Sequence, residues 1–155
     1  MTFTEWIRVS IPVAGIGACL ALTAAAQNPA GWQVLKDRKQ MCQMAVPPDW
    51  TADKIMPSNV TSPDKKANVI FGSKPASVDY ATIVKMAKDM FKPSKTIEET
   101  GSRTWFVASP DRGKAGTKWY VALPTSPVCE AQITFEDAPF EATAKQMVNS
   151  LKSAK

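Results

Sequence analysis

Residues 103–135 read RTWFVASPDRGKAGTKWYVALPTSPVCEAQITF and contain three apolar segments separated by short polar turns. The segments are 103–108, 117–123 and 128–135, and each is rich in the aromatic and β-branched residues that favour strands. Because the turns are too short for a crossover helix, neighbouring strands are expected to run antiparallel. This stretch therefore predicts the middle of an antiparallel sheet.

Shorter apolar segments on the N-terminal side extend the predicted sheet. Residues 32–37 and 40–46 indicate an opening β-hairpin, and residues 68–72 and 96–100 indicate one further strand each. Between them, residues 51–66 are rich in Pro, Ser, Asn, Asp and Lys, which predicts a long loop. Together with the central segments, the sheet is expected to contain about six or seven strands.

Two segments carry apolar residues at helical spacing. The apolar face of the first consists of Tyr80, Ile83, Val84, Ala87, Met90 and Phe91. We expect Ser77 to cap its N-terminus and Pro93 to end it. The second follows the expected cap Asp137, and its apolar residues are Phe140, Ala144, Met147, Val148 and Leu151. The fold class is therefore predicted to be α+β, with two amphipathic helices covering one antiparallel sheet.

The N-terminal segment has the layout of an export signal. Residues 9–26 carry no charge, follow Arg8 and end in three alanines. A charged start, an apolar stretch and small residues are typical of a leader that is cut at its end, here after Ala26. We therefore predict a signal peptide over 1–26 and a single α+β domain over 27–155, exported to the periplasm or secreted.

Two alternatives remain open for this segment. Ile16-Gly17-Ala18-Cys19 resembles a bacterial lipobox, in which Cys19 would be lipidated and would hold the protein at the membrane. The apolar run is also about as long as a membrane span, so a retained N-terminal anchor is the third possibility. Its glycines, alanines and Pro12 make the run weakly hydrophobic, and this favours cleavage.

Export also changes the interpretation of the three cysteines. Removal of the leader would discard Cys19 and leave Cys42 and Cys129 as a pair in an oxidising compartment. Each of the two lies in a strand-like segment, and the close Cys-x-x-Cys spacing of a redox-active pair is missing. We therefore predict a structural disulfide between Cys42 and Cys129.

The sequence contains no histidine, which excludes Ser-His-Asp catalysis, Cys-His catalysis and imidazole ligands for zinc. Glu98 and Glu99 are adjacent, so a strand would point them to opposite faces. Asp49, Asp53 and Asp64 lack the spacing of a calcium loop. We therefore predict no catalytic, cofactor-binding or metal site. A hydrolase that uses Asp/Glu or Ser/Lys is the less favoured alternative.

Three tryptophans are the candidate contact residues. Trp105 and Trp119 lie on strands that are expected to pair, and Trp50 borders the predicted loop. They form either layers of the core or an exposed surface for a ligand or partner.

The formal charge of +5 is interpreted first as a contribution to solubility, and as the alternative it suits an anionic component of the cell envelope. The lysines are scattered along the sequence, and export argues against a nucleic-acid partner. We expect a monomer whose partner is an envelope protein or, as the alternative, an envelope polyanion or lipid.

The segment Cys42-Gln43-Met44-Ala45-Val46-Pro47-Pro48-Asp49-Trp50 resembles the Pro-x-x-Trp start of PsbP-like domains. The Trp119-Tyr120 strand and a closing helix over 144–152 resemble the end of the same family, so the resemblance spans about 32–152. It implies an α/β/α sandwich that binds partners and performs no catalysis.

The PsbP-like family includes an extrinsic subunit of photosystem II, a Ran-binding import factor and many exported bacterial proteins. The metal-linked histidines proposed for the photosystem subunits have no counterpart in this chain, because it contains no histidine. We therefore do not carry over the photosynthetic role. We expect an exported, non-enzymatic binding or accessory domain of the cell envelope.

Overall fold

The computed structural model describes residues 28–109 and 115–155. The strands are β1 (Gln33–Lys36), β2 (Cys42–Val46), β3 (Thr51–Ala52), β4 (Asn59–Thr61), β5 (Ala67–Ser73), β6 (Pro93–Glu99), β7 (Thr104–Ala108), β8 (Thr117–Leu123), β9 (Cys129–Phe135) and β10 (Lys152–Ser153). The helices are α1 (Tyr80–Phe91) and α2 (Phe140–Ser150). The predicted leader, including Cys19, lies outside the described residues. Within the described ranges, neither helix is long and apolar enough to cross a membrane.

The larger sheet has seven strands in the order β3-β4-β5-β9-β8-β7-β6, and every neighbouring pair is antiparallel. β7, β8 and β9 pair in the order of the chain, as their short turns predict. β9 lies at the centre and pairs along its whole length with both β5 and β8. The predicted antiparallel sheet of an α+β domain is confirmed.

A second sheet of three strands, in the order β1-β2-β10, departs from the single sheet that the sequence predicts. β1 and β2 form the predicted opening hairpin, and β10 pairs with the other edge of β2. Because β1 and β10 occupy both edges of β2, the hairpin forms a sheet of its own. Residues 51–66, predicted as a loop, also differ from expectation, since they contain β3 and β4.

The seven-stranded sheet is covered on both faces, because side chains alternate along its strands. One face packs against α2 and the three-stranded sheet, and its buried residues include Val69, Phe71, Trp105, Trp119, Val121, Ala131 and Ile133. The other face packs against α1 through Phe106, Ala108, Tyr120 and Ala122. The result is the layered α/β/α arrangement expected from the sequence, with the small sheet added beside α2.

Helix α1 begins at Tyr80, and Asp79 is its N-cap instead of the predicted Ser77. The Asp79 carboxylate accepts hydrogen bonds from the backbone N–H of Thr82, at 2.9 Å, and from the Thr82 hydroxyl, at 2.7 Å. These bonds satisfy one of the free N–H groups in the first helical turn. Ser77 is exposed two residues before this position, so its hydroxyl does not serve as the cap.

Helix α2 begins at Phe140 without a side-chain cap, so the predicted capping by Asp137 is wrong. The Asp137 carboxylate instead forms an ion pair with Lys66, with 2.8 Å between Oδ2 and Nζ. The backbone carbonyl of Asp137 accepts the N–H of Phe140 at 3.1 Å. The helix ends at Ser150, so Lys152 lies in β10 rather than in the closing helix predicted over 144–152.

Candidate functional site

The three tryptophans that the sequence offered either as core residues or as a contact surface are part of the core. Trp50, Trp105 and Trp119 are each no more than 6% exposed. Trp119 packs edge-on against both Trp105 and Phe135, with ring centroids 5.0 and 4.9 Å apart. All three tryptophans belong to the cluster that α2 and the three-stranded sheet cover. They therefore do not form the exposed partner surface that the sequence left open.

The predicted disulfide between Cys42 and Cys129 is present, with a Cα–Cα distance of 5.7 Å. It joins β2 of the small sheet to β9, the central strand of the large sheet. Both cysteines are completely buried. This bond therefore ties two layers of the fold together and offers no surface for thiol exchange.

The carboxylates considered for acid–base chemistry are held by structural contacts. Glu98 is bonded to Arg103, and this hydrogen bond holds the pKa of Glu98 below its usual value. Glu99 pairs with Lys88 of α1, while Arg103 also bonds Asn149 of α2. The two glutamates therefore serve opposite faces of the sheet, as the sequence predicts.

Two of the loop aspartates stabilise turns. Asp53 accepts the N–H groups of Ile55 and Met56, and Asp64 accepts bonds from Ser62 and from the backbone of Lys66. These hydrogen bonds lower the pKa of both carboxyl groups. Across residues 28–109 and 115–155, no group of three or more Cys, Asp or Glu side chains is arranged to hold a metal ion.

An open groove lies beside α1, because the helix covers only half of its face of the large sheet. α1 contacts β8 and packs on Phe106, Tyr120 and Ala122. Further along the sheet, Gln132 of β9 pairs with Tyr120 on one side and with Ile70 of β5 on the other. Ile70 is 44% exposed. This half of the face has no helix above it in the part of the chain that the structure describes.

The groove, called the α1 groove below, has a volume of about 310 Å³. Its apolar walls come mostly from α1 and the segment before it, and they consist of Pro75, Val78, Ile83, Met86, Ala87, Met90 and Phe91. Its floor is Tyr120, Glu130 and Gln132, and Lys74 lies at one end. The expectation that Met90 belongs to the buried stripe of α1 is wrong, because Met90 is 70% exposed and Met86 is 58% exposed.

The charged groups of the α1 groove neutralise each other. Oε1 of Glu130 lies 2.6 Å from Nζ of Lys74, and Oε2 accepts a hydrogen bond of 2.7 Å from the Tyr120 hydroxyl. Burial and the neighbouring Glu130 carboxylate raise the pKa of Tyr120 far above its ordinary value. Tyr120 is therefore protonated at physiological pH and donates a fixed hydrogen bond.

Gln132 lies on the floor and is partly exposed, and its side-chain amide forms no hydrogen bond with the described residues. The amide offers two N–H donors and one carbonyl acceptor. The α1 groove thus combines apolar walls, a neutral ion pair and one amide that is available to an occupant. Such a site is suited to binding rather than to bond cleavage.

No pattern in the sequence predicts this groove. Met86 was not among the apolar residues of the first predicted helix, and Gln132 is one polar residue of an alternating strand. The one feature of the sequence that could have indicated the groove is the pair of methionines on α1, Met86 and Met90, because methionine is used at adaptable binding surfaces.

No family model matches the sequence, and no curated protein matches it. The fold is similar to the solution structure of cyanobacterial PsbP from Synechocystis, with 13% sequence identity and a TM-score of 0.48. The similarity covers 89% of this chain and 98% of the other. This similarity concerns the fold alone.

Proposed function

We propose that this protein is an exported, non-enzymatic accessory domain of the cell envelope that binds a partner protein through the α1 groove. The observation that carries the proposal is the apolar groove left open beside α1, with Met86 and Met90 exposed on its wall. A contiguous apolar surface on a soluble domain usually marks a site of interaction. Methionine side chains adapt their shape to an apolar partner.

The disulfide supports the exported setting, because such bonds form and persist in oxidising compartments. We propose cleavage after Ala26, with lipidation at Cys19 and a retained anchor as the alternatives. The intact mass of the native protein, measured before and after reduction, distinguishes the three. A mass equal to that of residues 27–155, which rises by the mass of two hydrogen atoms on reduction, supports both cleavage after Ala26 and the disulfide. The mass of a lipid adduct at Cys19, or of the uncut chain, would contradict release of the protein from its leader.

The contacts of the acidic side chains support a binding role over catalysis. Glu98 is engaged by Arg103, and Glu130 by Lys74 and Tyr120. A general acid or base needs access to the substrate and a pKa near the working pH. The hydrogen bond from Arg103 moves the pKa of Glu98 away from that range.

The polar floor favours a protein partner over an acyl chain. A lipid tail that covered Gln132 would remove its amide from water without replacing the hydrogen bonds, at a cost of about 1–3 kcal/mol. A polypeptide can supply the missing partner from its own amides. The neutral Lys74–Glu130 pair likewise gives an anionic head group no net charge to bind.

The proposal is tested by purifying the protein with its partner from envelope extracts after photo-crosslinking. We would compare the wild type with Met90→Lys, which places a charge in the groove wall, and with Val34→Lys as the matched control. Val34 is also an exposed apolar residue, but it lies on β1 of the small sheet. Both substitutions change an exposed side chain, so we expect both variants to fold.

The expected result is one protein enriched by the wild type and by Val34→Lys and lost with Met90→Lys. Equal recovery of that protein with all three would contradict a role for the α1 groove. Binding to anionic liposomes, weakened by salt and unaffected by Met90→Lys, would favour the lipid or polyanion alternative.

A further inference from the structure

We infer that the outer face of the three-stranded sheet, with the hairpin turn that adjoins it, binds the surface of a bilayer that contains anionic phospholipids. This surface, called the basic face below, carries five exposed cations that form no ion pair among the described residues: Lys36, Arg38, Lys39, Lys152 and Lys155. The inference does not rest on the proposed function, because the basic face and the α1 groove are separate surfaces.

The strand register places two of the cations on the outer side of the sheet. Lys36 of β1 lies opposite Gln43 of β2, and Gln43 lies opposite Lys152 of β10 at its other edge. Residues directly opposite each other project from the same face of a sheet. Leu35 packs against the core, so its neighbour Lys36 points away from it. Lysines from the first and the last strand therefore share one outward row.

The other three cations lie at the end of the sheet where the hairpin turns. Arg38 and Lys39 stand between β1 and β2, and both are exposed. The N–H of Ala154 donates to the carbonyl of Met41 at 2.8 Å, and this bond brings Lys155 close to the same turn. The pairing of β10 with β2 thus adds the cations of the last strand to those of the opening hairpin.

The charge of the basic face is almost unopposed. Within residues 33–43 and 151–155, which form this surface, the only acidic residue is Asp37. Asp37 is buried and bonded to Ser73 of β5. Five cations and one carboxylate leave a net side-chain charge of +4, while the formal charge of the whole chain is +5. Lysines that are scattered along the sequence are therefore gathered on one surface, whose field attracts anionic groups.

Two features of the basic face favour a bilayer over a soluble polyanion. Val34 projects from the same side of β1 as Lys36 and is 44% exposed. An apolar side chain beside lysines, whose stems are also apolar, can enter the head-group region of a bilayer. Sites for soluble ligands are usually concave and lined by aromatic side chains. Residues 33–43 and 151–155 contain no aromatic residue, and their lysines form an outward strand row.

Binding through the basic face also orients the domain. The three-stranded sheet packs on one face of the large sheet, and α1 packs on the other. A domain that rests on a bilayer through its basic face therefore keeps the α1 groove on the side away from the lipid, where a protein can reach it. The lipid alternative considered above then applies to the basic face and not to the groove.

The first test measures co-sedimentation of the native protein with vesicles of phosphatidylcholine, made with and without phosphatidylglycerol. We expect binding to the anionic vesicles alone, and we expect salt to weaken it. Lys36→Gln/Lys152→Gln should weaken binding about thirtyfold, because each cation near an anionic surface contributes a factor of about five. The matched control is Lys85→Gln/Lys95→Gln, which removes the same charge from exposed positions on α1 and β6 and should bind about as tightly as the wild type.

The second test reports the orientation without any substitution. A paramagnetic head group in the anionic vesicles should broaden the backbone ¹⁵N–¹H signals of Val34, Gln43 and Lys152. The signals of Met86 and Met90 in the α1 groove should stay unchanged. Broadening at the two methionines instead would place the groove on the bilayer and overturn the inference.

Three results of the sedimentation test would also overturn it. Equal losses in the two double variants would mean that only the net charge of the protein matters. Equal binding to vesicles of phosphatidylcholine alone would assign the membrane contact to the N-terminal segment, as lipidation at Cys19 or a retained anchor predicts. Failure to bind anionic vesicles, with binding to alginate that Lys36→Gln/Lys152→Gln loses, would assign the basic face to an acidic polysaccharide. The proposed function is decided separately, by recovery of the partner protein with Met90→Lys.

Discussion

The carboxylate of Asp37 accepts two hydrogen bonds from Ser73, one from the backbone N–H at 3.0 Å and one from the hydroxyl at 2.7 Å. The bonds from Ser73 go to Oδ2, and Oδ1 of the same carboxylate accepts the N–H groups of Met41 and Cys42. Asp37 lies in the turn of the small-sheet hairpin, and Ser73 ends β5 of the large sheet. Ser73 is also the neighbour of Cys129 across the β5–β9 pair. A polar contact and a disulfide thus join the two sheets at the same place.

Replacement of Asp37 by Asn should destabilise the protein by about 1.5–3 kcal/mol at neutral pH, because the amide removes the charge and turns a donor toward Ser73. Burial raises the pKa of Asp37, but the hydrogen bonds from Cys42, Ser73 and Met41 lower it by more, to below its ordinary value of 3.8. Its stabilising effect is therefore complete above pH 3.8 and is lost as the pH falls through the lower, folded-state pKa. Urea unfolding at a series of pH values should show that the difference in the free energy of unfolding between the wild type and Asp37→Asn becomes smaller as the pH falls below 3.8. A difference that grew on acidification would contradict this account.

Loss of the disulfide should lower the free energy of unfolding by about 4–5 kcal/mol, the chain-entropy value for the 87-residue separation of Cys42 and Cys129. Urea unfolding of the double variant Cys42→Ser/Cys129→Ser, compared with that of the wild type, measures this loss. Because both cysteines are fully buried, a mild reductant should leave the bond intact until denaturant is added. Rapid alkylation of the native protein after mild reduction would show that the bond is accessible.

Gly116→Ala should destabilise the protein by about 1–3 kcal/mol. Gly116 has a φ of +109°, and an added Cβ would lie 2.8 Å from the backbone oxygen of Phe135. Gly101→Ala is the control, because a Cβ at that position would meet no atom within 4 Å. Thermal unfolding should separate the two variants by several degrees. Equal midpoints would mean that the close approach at Phe135 relaxes without cost.

Ser150→Ala should cost about 1–3 kcal/mol, because it leaves a buried backbone N–H without its acceptor. The Ser150 hydroxyl oxygen accepts the N–H of Ala45 at 2.9 Å, and the hydroxyl donates to the carbonyl of Met147 at 2.7 Å. Ser77→Ala is the control, and it should change little because Asp79 caps α1. Chemical denaturation of both variants measures the difference. A clear loss of stability in Ser77→Ala would instead indicate that Ser77 caps α1.

The longest and most regular elements could be predicted from the sequence, since β7, β8, β9 and α1 have patterns long enough to show their periodicity. β10 has two residues and β3 has two, so neither carries a pattern. The pairing of β10 with β2 depends on where α2 ends, and this is decided by packing. The predicted disulfide was found because the two cysteines lie in strong strand segments.

The candidate site could not be predicted, because it depends on which part of a sheet a helix covers. Periodicity placed Met90 on the apolar face of α1, but it does not tell how far the sheet extends beneath that face. The burial of the tryptophans could not be predicted for the same reason. Alternation along a strand shows which residues share a face, but it does not show which face of the sheet other elements cover. Trp105 and Trp119 lie on the face with α2 and the small sheet, where they are buried.

The small sheet also has a consequence for folding kinetics. β2 is bonded to segments far ahead in the chain, since Ala45 contacts Ser150 across 105 residues. Contacts of such large sequence separation raise the contact order and slow folding, because a long loop must close before the contact contributes stability. Until residues 150–153 arrive, one edge of β2 presents unpaired backbone groups, which is the kind of edge that leads to aggregation. The yield of folded protein should therefore depend on how well the β1–β2 hairpin is protected until β10 pairs with β2.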